Sequence, residues 1–228
     1  MRYVISDIHG NFKLLINLLN KIKFSQKDTL FILGDLIDKG TEVDKVLKLI
    51  FRDIRKNVFV IAGNHEHEFI KYVKFLINEN ESDDVIFKKS NEFLKLKNPI
   101  NFEIIDEILN LPYYYEEKDF LLVHAGIPCD ENGFPLSIKN VSKEELVYDR
   151  RFKNENFIPQ NFKCVIFGHT PTIKDGKMGN IIKYQRPNTR GNKVTDYYKI
   201  HIDTGNYLSK TLGCLCLDTM QEFYVTEN

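Results

Sequence analysis

Apolar runs and amphipathic stretches alternate through the first quarter of the chain. Tyr3–Ser6 is a short, nearly unbroken apolar run, the pattern of a buried strand. In Phe12–Lys23, Phe12, Leu15, Ile16, Leu19 and Ile22 recur at helical spacing. Leu30–Leu33 predicts a second strand. Val43–Ile54 predicts a second helix, with Val43, Val46, Leu47, Ile50 and Ile54 on one side, and Val58–Ala62 predicts a third strand. A β-α-β-α-β order implies parallel strands joined by helical crossovers.

The stretch from His65 to Asn110 has a mostly helical pattern, with two helices before Pro99 and one after it. Pro112–Glu117 and Phe120–Val123 predict a hairpin turning at Lys118–Asp119. Cys164–Phe167 predicts another buried strand. In the tail, Tyr198–Asp203, Thr211–Leu217 and Glu222–Val225 follow one another without helices, which suggests antiparallel pairing in a second sheet. The expected fold is α/β: a layered α/β/β/α sandwich of two mixed sheets flanked by helices. One domain over residues 1–228 is expected, with a helical cap or insert at 66–110. Pro187–Asp196, polar and glycine-containing, is the expected mobile loop.

Composition narrows the function classes. The chain has 228 residues, 43% of them apolar, enough for a substantial core. Lys+Arg and Asp+Glu are both 32, so no global field recruits nucleic acid or an acidic membrane. MRYVISDIHG lacks the pattern of a secretory signal, and no apolar stretch approaches the ~20 residues that span a bilayer. A cytoplasmic protein is expected, with neither nucleic acid nor membrane as partner and no obligate protein partner evident. Cys214 and Cys216 alternate in an apolar run and should share one face. They and Cys129 and Cys164 are read as small buried hydrophobes in preference to a zinc site or disulfide.

Polar residues gather where predicted strands end. SDIHG supplies Asp7 and His9; GDLIDKG supplies Asp35 and Asp38. AGNHE supplies Asn64, His65 and Glu66, while VHAG and FGHTP supply His124 and His169. Sites in open parallel sheets form at that edge. Any one residue has an ordinary alternative: a helix cap, a turn or a satisfied histidine. Four of the six histidines falling in such segments is hard to ascribe to chance. Carboxylates, imidazoles and one amide oxygen, without thiolate, suit Mn²⁺, Fe or Zn²⁺ better than Mg²⁺ or Ca²⁺. Glycines beside each group, such as Gly34 and Gly168, permit tight strand exits.

The ordered series SDIHG, GDLIDKG, GNHE, HAG and GHT resembles the calcineurin-like metallophosphoesterases from Tyr3 to about Gly205. More narrowly it is similar to the phosphoprotein phosphatase branch, which includes bacterial and phage Ser/Thr phosphatases and diadenosine tetraphosphatases. Ser6 stands where that series usually has Gly. The resemblance implies two divalent cations, with Mn²⁺ expected and Fe or Zn²⁺ compatible. Asp7 and His9 would hold the first, Asn64, His124 and His169 the second, and Asp35 would bridge them. A hydroxide between cations ~3.5–4 Å apart would then attack phosphorus in line. His65 is implied as the general acid, oriented by Asp38, because a neighbouring carboxylate favours the protonated imidazole. Glu66 is expected to support the site through hydrogen bonds, and His67 to lie on a helix surface.

Phosphate contacts match the branch less well. Lys39 and Ala62 occupy positions where it usually carries Arg. Lys39 keeps the charge without the bidentate fork. Arg150 is the best phosphate-binding candidate, ahead of Arg151, and Asn64 is a further candidate. The series HIDTG resembles the branch's closing signature. Asp203 and Thr204 are read there as turn or supporting residues, with His201 as a further possible ligand. The leading expectation is a phosphomonoesterase acting on Ser/Thr or Tyr phosphoprotein-type substrates or small phosphoesters. The alternatives are a dinucleoside polyphosphate (Ap4A-type) hydrolase, a phosphodiesterase or nuclease, which the neutral charge disfavours, and a metal-free binding module.

Overall fold

The computed structural model describes residues 1–155, 163–173 and 179–227. Strand β1 (Arg2–Ile5), helix α1 (Phe12–Lys21), β2 (Thr29–Ile32), α2 (Val43–Lys48) and β3 (Val58–Val60) come first. Three helices follow: α3 (Asn64–Asn78), α4 (Asp83–Phe93) and α5 (Phe102–Leu109). Then come β4 (Tyr114–Glu116), β5 (Phe120–Val123), α6 (Lys143–Tyr148), β6 (Cys164–Phe167), β7 (Ile182–Gln185) and β8 (Tyr197–His201). The last elements are α7 (Asn206–Ser209), β9 (Thr211–Cys216) and β10 (Glu222–Thr226).

The strands form two five-stranded sheets, ordered β10-β9-β1-β2-β3 and β4-β5-β6-β8-β7. Neighbours among β1, β2 and β3 run parallel, as the helical crossovers require, and β9 and β10 extend that sheet antiparallel. In the second sheet β5, β6 and β8 run parallel, with β4 and β7 as antiparallel edges.

Side-chain alternation builds the layers. Val4, Phe31 and Leu33 of the first sheet share a buried cluster with Phe120, Leu122, Cys164 and Ile166 of the second. The intervening residues Ile5, Leu30, Ile32, Leu121, Val123 and Val165 belong instead to a second cluster that takes in Leu15 and Leu18 of α1, Val46 of α2 and Leu146 and Val147 of α6. Successive strand residues face opposite ways, and here both faces are covered. Apolar runs without polar alternation follow from that. The layered α/β/β/α sandwich of two mixed sheets is therefore the observed fold.

Details differ from expectation. The tail does not form the second sheet alone. Residues Thr211–Cys216 and Glu222–Thr226 return to the edge of the first sheet, while β8 joins the second beside β6. Pairing partners are set by packing at a distance, which a run of apolar residues does not encode. The second helix is α-helical only to Lys48, and Leu49–Asp53 forms a π-helical turn. The wider turn brings both Ile50 and Phe51 into the core. The edge strand β7 was not expected, because its residues are mostly half-buried and its pattern is weak. Helix α6 does carry a sequence signal: Ser142 and Glu145 form a capping box at its start. The segment Pro187–Asp196 is tied down, since Tyr197 donates to the Gly191 carbonyl at 2.7 Å and Gln185 to the Thr189 carbonyl at 2.7 Å. All four cysteines are free, and Cys214 and Cys216 lie in the same buried cluster, on one face as predicted.

Candidate metal centre

The predicted residues converge at the strand exits. Asp7 follows β1, Asp35 follows β2, Asn64 and His65 open α3 just after β3, and His124 and His169 follow β5 and β6. The turns that aim them are conformationally costly. Asp7, His9, Asp35, Asp38, Lys39 and His169 all have φ between 47° and 68°. Non-glycine residues seldom adopt this left-handed region, and such strain clusters at functional sites. Gly168 is required for a different reason: a Cβ there would collide with the Ser6 hydroxyl and the Asp7 carboxylate.

Asp35 lies at the middle. Its Oδ2 is 3.6 Å from His9 Nε2 and 3.9 Å from His65 Nε2, and its Oδ1 is 3.5 Å from His124 Nε2. Asn64 Oδ1 stands 3.1 Å from His124 Nε2 and 2.9 Å from His169 Nδ1. Asp7 Oδ1 is 3.9 Å from His9 Nε2. Among the described residues, two groups of donor atoms are close enough to share a cation: His9, Asp35 and His65, and Asp35, His124 and His169. Asp35 belongs to both. Asp7 and Asn64, expected as ligands, lie beside these groups, while His65, expected only as an acid, enters the first.

The hydrogen bonds prepare lone pairs for a cation. His124 Nδ1 is 2.6 Å from the Leu33 carbonyl and His9 Nδ1 3.2 Å from that of Ile37. Each carbonyl needs a donor, which puts the proton on Nδ1 and leaves Nε2 as the inward lone pair. Burial pushes His9 down to about 4 and His169 down to about 3, and it lowers His124 as well. All three imidazoles are therefore neutral at pH 7, the state that ligates metal. Burial, with the charges of Asp7 and Glu66, drives the Asp35 carboxyl well above its ordinary value. Burial also works against Asp7, but its carboxylate accepts hydrogen bonds from the Ser6 hydroxyl and the His169 N–H, and its pKa is lowered. Ser6, the departure from the resembled pattern, thus helps keep Asp7 ionised. Buried acids crowded against neutral imidazoles and an amide oxygen fit a hard-to-borderline divalent cation.

Supporting residues hold these turns. Glu66 is fully buried and accepts the backbone N–H groups of Asp35, Leu36, Ile37 and Gly63 at 2.7, 2.8, 3.2 and 2.9 Å. It thereby locks the exit of β2 to that of β3. Glu66→Gln turns one acceptor oxygen into a donor facing these N–H groups. We expect a loss of about 2–3 kcal/mol in stability, read by denaturant unfolding, with metal affinity falling about 10–100-fold. Full metal affinity in a destabilised variant would limit Glu66 to folding. Asn206 escaped sequence reading. It is buried, and its amide donates to the Asp7 carbonyl at 3.3 Å and to the Ile8 carbonyl. Its place directly after the HIDTG series was the available signal. Asp203 and Thr204 bond within their own turn, to the Gly205 N–H and the Thr211 carbonyl, each at 2.8 Å.

The remaining candidates separate clearly. His65 Nδ1 is 2.8 Å from Asp38 Oδ2, within hydrogen-bond range. Lys39 Nζ stands 3.0 Å from His9 Nε2. Arg151 is committed to Asp149 at 2.8 Å, whereas Arg150 forms no ion pair among the described residues and its charge reaches His169 and Asp203. Ala62 is buried in the core and makes no polar side-chain contribution. His67 is not a surface residue. It is 4% exposed, with Nδ1 2.7 Å from the Tyr113 hydroxyl, because the core-facing side of α3 includes position 67. His201 is also buried, stacked on Phe167 at 4.5 Å, and belongs to neither donor group.

The model of the calcineurin-like phosphoesterase family matches residues 2–202. The chain belongs to that family. Membership implies divalent metal ions and the chemistry of a phosphoric ester hydrolase. Among named relatives, a symmetrical bis(5'-nucleosyl)-tetraphosphatase of Buchnera aphidicola is 37% identical over 129 residues, 55% of this chain and 44% of the relative. One of the same name from Pseudomonas fluorescens is 23% identical over 199 residues, 86% of this chain and 61% of the relative. The chain spans about half the length of the curated relatives it matches. Of solved structures, a candidate diadenosine tetraphosphatase aligns with a TM-score of 0.64 at 19% identity, covering 98% of this chain and 92% of that one. A mutant cold-active protein tyrosine phosphatase aligns at 0.55 and 16% identity, covering 99% and 80%.

These relatives overturn the phosphoprotein expectation. Protein phosphatases share the fold of this phosphoesterase, but at such low identity only the fold is shared. The named sequence relatives carry the tetraphosphatase name. The physical reason is that metal-centre motifs are common to the family, whereas substrate choice depends on the surrounding contacts. Lys39 and Ala62 are where this chain already departed from the Arg-bearing pattern.

Proposed function

We propose that this chain hydrolyses the phosphate bridge of a dinucleoside tetraphosphate at a two-cation centre. The name shared by its sequence relatives carries the substrate. Asp35, common to both donor groups, supports the pair of cations. Asp7 and His9 would hold one and Asn64, His124 and His169 the other, with Asp35 on both; Mn²⁺ is the expected metal, and Fe or Zn²⁺ is compatible. When bound, the cations neutralise phosphate oxygens and supply a nucleophile from water.

The other tasks fall to side chains. Asp38 fixes His65 through Nδ1, which leaves Nε2 on the side of Asp35, placed to donate a hydrogen bond to the departing oxygen and, where the leaving group is an alkoxide, its proton. Lys39 at the His9 end and Arg150 at the His169 end offset phosphate charge, with the Asn64 amide as a further contact. Symmetrical cleavage breaks the central anhydride P–O bond, adds water across it and releases two nucleoside diphosphates and two protons. We read residues 1–228 as one catalytic unit with α3–α5 as its helical insert. No helix among the described residues is long and apolar enough to cross a membrane, and we place the activity in the cytoplasm.

The test is a competition of substrates on the Mn²⁺-loaded protein. Diadenosine tetraphosphate should exceed p-nitrophenyl phosphate and phosphopeptides by about 10²-fold or more in kcat/KM, since remote binding energy is spent at the reacting centre. Preference for a phosphopeptide would refute the proposal.

A further inference from the structure

A groove of about 280 Å³ opens beside the metal centre, bounded by His9, Lys13, Lys39, Asn206, Tyr207 and Lys210. Two features set it apart from ordinary surface. Tyr207 is 56% exposed, although its neighbour Asn206 is buried under the Asp7 turn. A bare aromatic ring contributes little to a core, and its π face remains available. Lys39 then connects this ring to the metal site: its ammonium is 3.0 Å from His9 Nε2 and 5.7 Å from the Tyr207 ring centroid. An open aromatic face and the reacting centre thus lie within reach of one cation.

The charges on the groove are unevenly committed. Glu227 is held by Lys13 at 2.9 Å and Glu42 by Lys45 at 2.6 Å. Lys39 and Lys210 form no ion pair among the described residues. Two ammonium groups without a carboxylate partner, one of them leaning on His9, flank a tyrosine and match the chemistry of a nucleotide: a flat base at one end and phosphates at the other. A cavity of this size is at the lower end for small-molecule sites and suits one nucleotide, half of a symmetrical dinucleotide.

We infer that this groove is the subsite for one nucleoside diphosphate arm of the substrate, with the base stacked on Tyr207 and the phosphates led past Lys210 and Lys39 to the centre. This inference rests on the dinucleotide reading above. Stacking tolerates any base, so the subsite should accept different nucleosides with similar affinity.

The decisive variants are Tyr207→Ala and Tyr207→Phe in the Mn²⁺-loaded protein, with two readouts. By calorimetry, Tyr207→Ala should raise the dissociation constant for adenosine diphosphate about 10- to 100-fold, the range of a lost base–aromatic stack, whereas Tyr207→Phe should stay within about threefold of wild type. In kinetics, the kcat/KM ratio of diadenosine tetraphosphate over p-nitrophenyl phosphate should fall by a comparable factor in Tyr207→Ala only. Wild-type affinity in Tyr207→Ala, or equal losses on both substrates, overturns the subsite and leaves the dinucleotide function standing. A wild-type protein that cleaves p-nitrophenyl phosphate but not the dinucleotide overturns the function instead, and calorimetry then decides the groove by itself.

Discussion

Asp35→Asn is expected to strip the protein of both cations and to lower turnover by about 10³-fold or more, beyond the loss typical of residues that merely support ligands. The reason is geometric and electrostatic. One carboxylate faces both donor groups, with Oδ2 3.6 Å from His9 Nε2 and Oδ1 3.5 Å from His124 Nε2. An amide keeps the shape but loses the charge and one acceptor. The metal-free protein should respond in the opposite sense. There Asp35 is buried and repelled by Asp7 and Glu66, which is why its carboxyl is driven upward. Removing that charge should leave the metal-free form equally or more stable. A chelator should therefore lower the melting temperature of wild type, which gains stability by binding metal, and leave that of Asp35→Asn unmoved. Elemental analysis after gel filtration gives the metal content. Two tightly retained cations in the variant would refute the bridging role.

The second large effect is on proton transfer. His65→Asn should keep its metals yet lose about 10²–10⁴-fold in kcat on an alkyl phosphate, the usual worth of a positioned general acid. The size of the loss should track the leaving group. An alkoxide must be protonated as it departs, whereas a p-nitrophenolate or a nucleoside diphosphate leaves as a stable anion. The variant should consequently suffer least on p-nitrophenyl phosphate and diadenosine tetraphosphate. Asp38→Asn should reproduce the trend more weakly, since its carboxylate holds His65 Nδ1 at 2.8 Å without facing the donor groups. An identical loss on alkyl and aryl phosphates would show that His65 acts by holding the site together.

Much of this was legible in the chain because strand exits are local. The residue that ends a buried apolar run is carried to the sheet edge wherever the strand pairs, so SDIHG, GDLIDKG, AGNHE, VHAG and FGHTP could be read in isolation. The substrate was less legible for the converse reason. The protein phosphatases and tetraphosphatases share those motifs, and the resemblance alone pointed to the wrong side of that divide. His67 was misplaced because helical phase matters more than polarity at a position where Tyr113 supplies a partner. The groove at Tyr207 had no sequence signature, since it joins segments near residues 9, 39, 207 and 227.

By itself, the sequence determined the β-α-β-α-β opening and the sandwich class through periodicity, and it placed the polar candidates at strand ends; which of them hold metal followed from the family resemblance. Tertiary structure alone decided that β9 and β10 close the first sheet and that Asp35 faces two donor groups at once. It also decided that Glu66 satisfies four backbone N–H groups, and that Lys39 spans from His9 to an exposed tyrosine. Each of these depends on atoms far apart in the chain being brought within a few ångströms. Local periodicity carries no information about that distance.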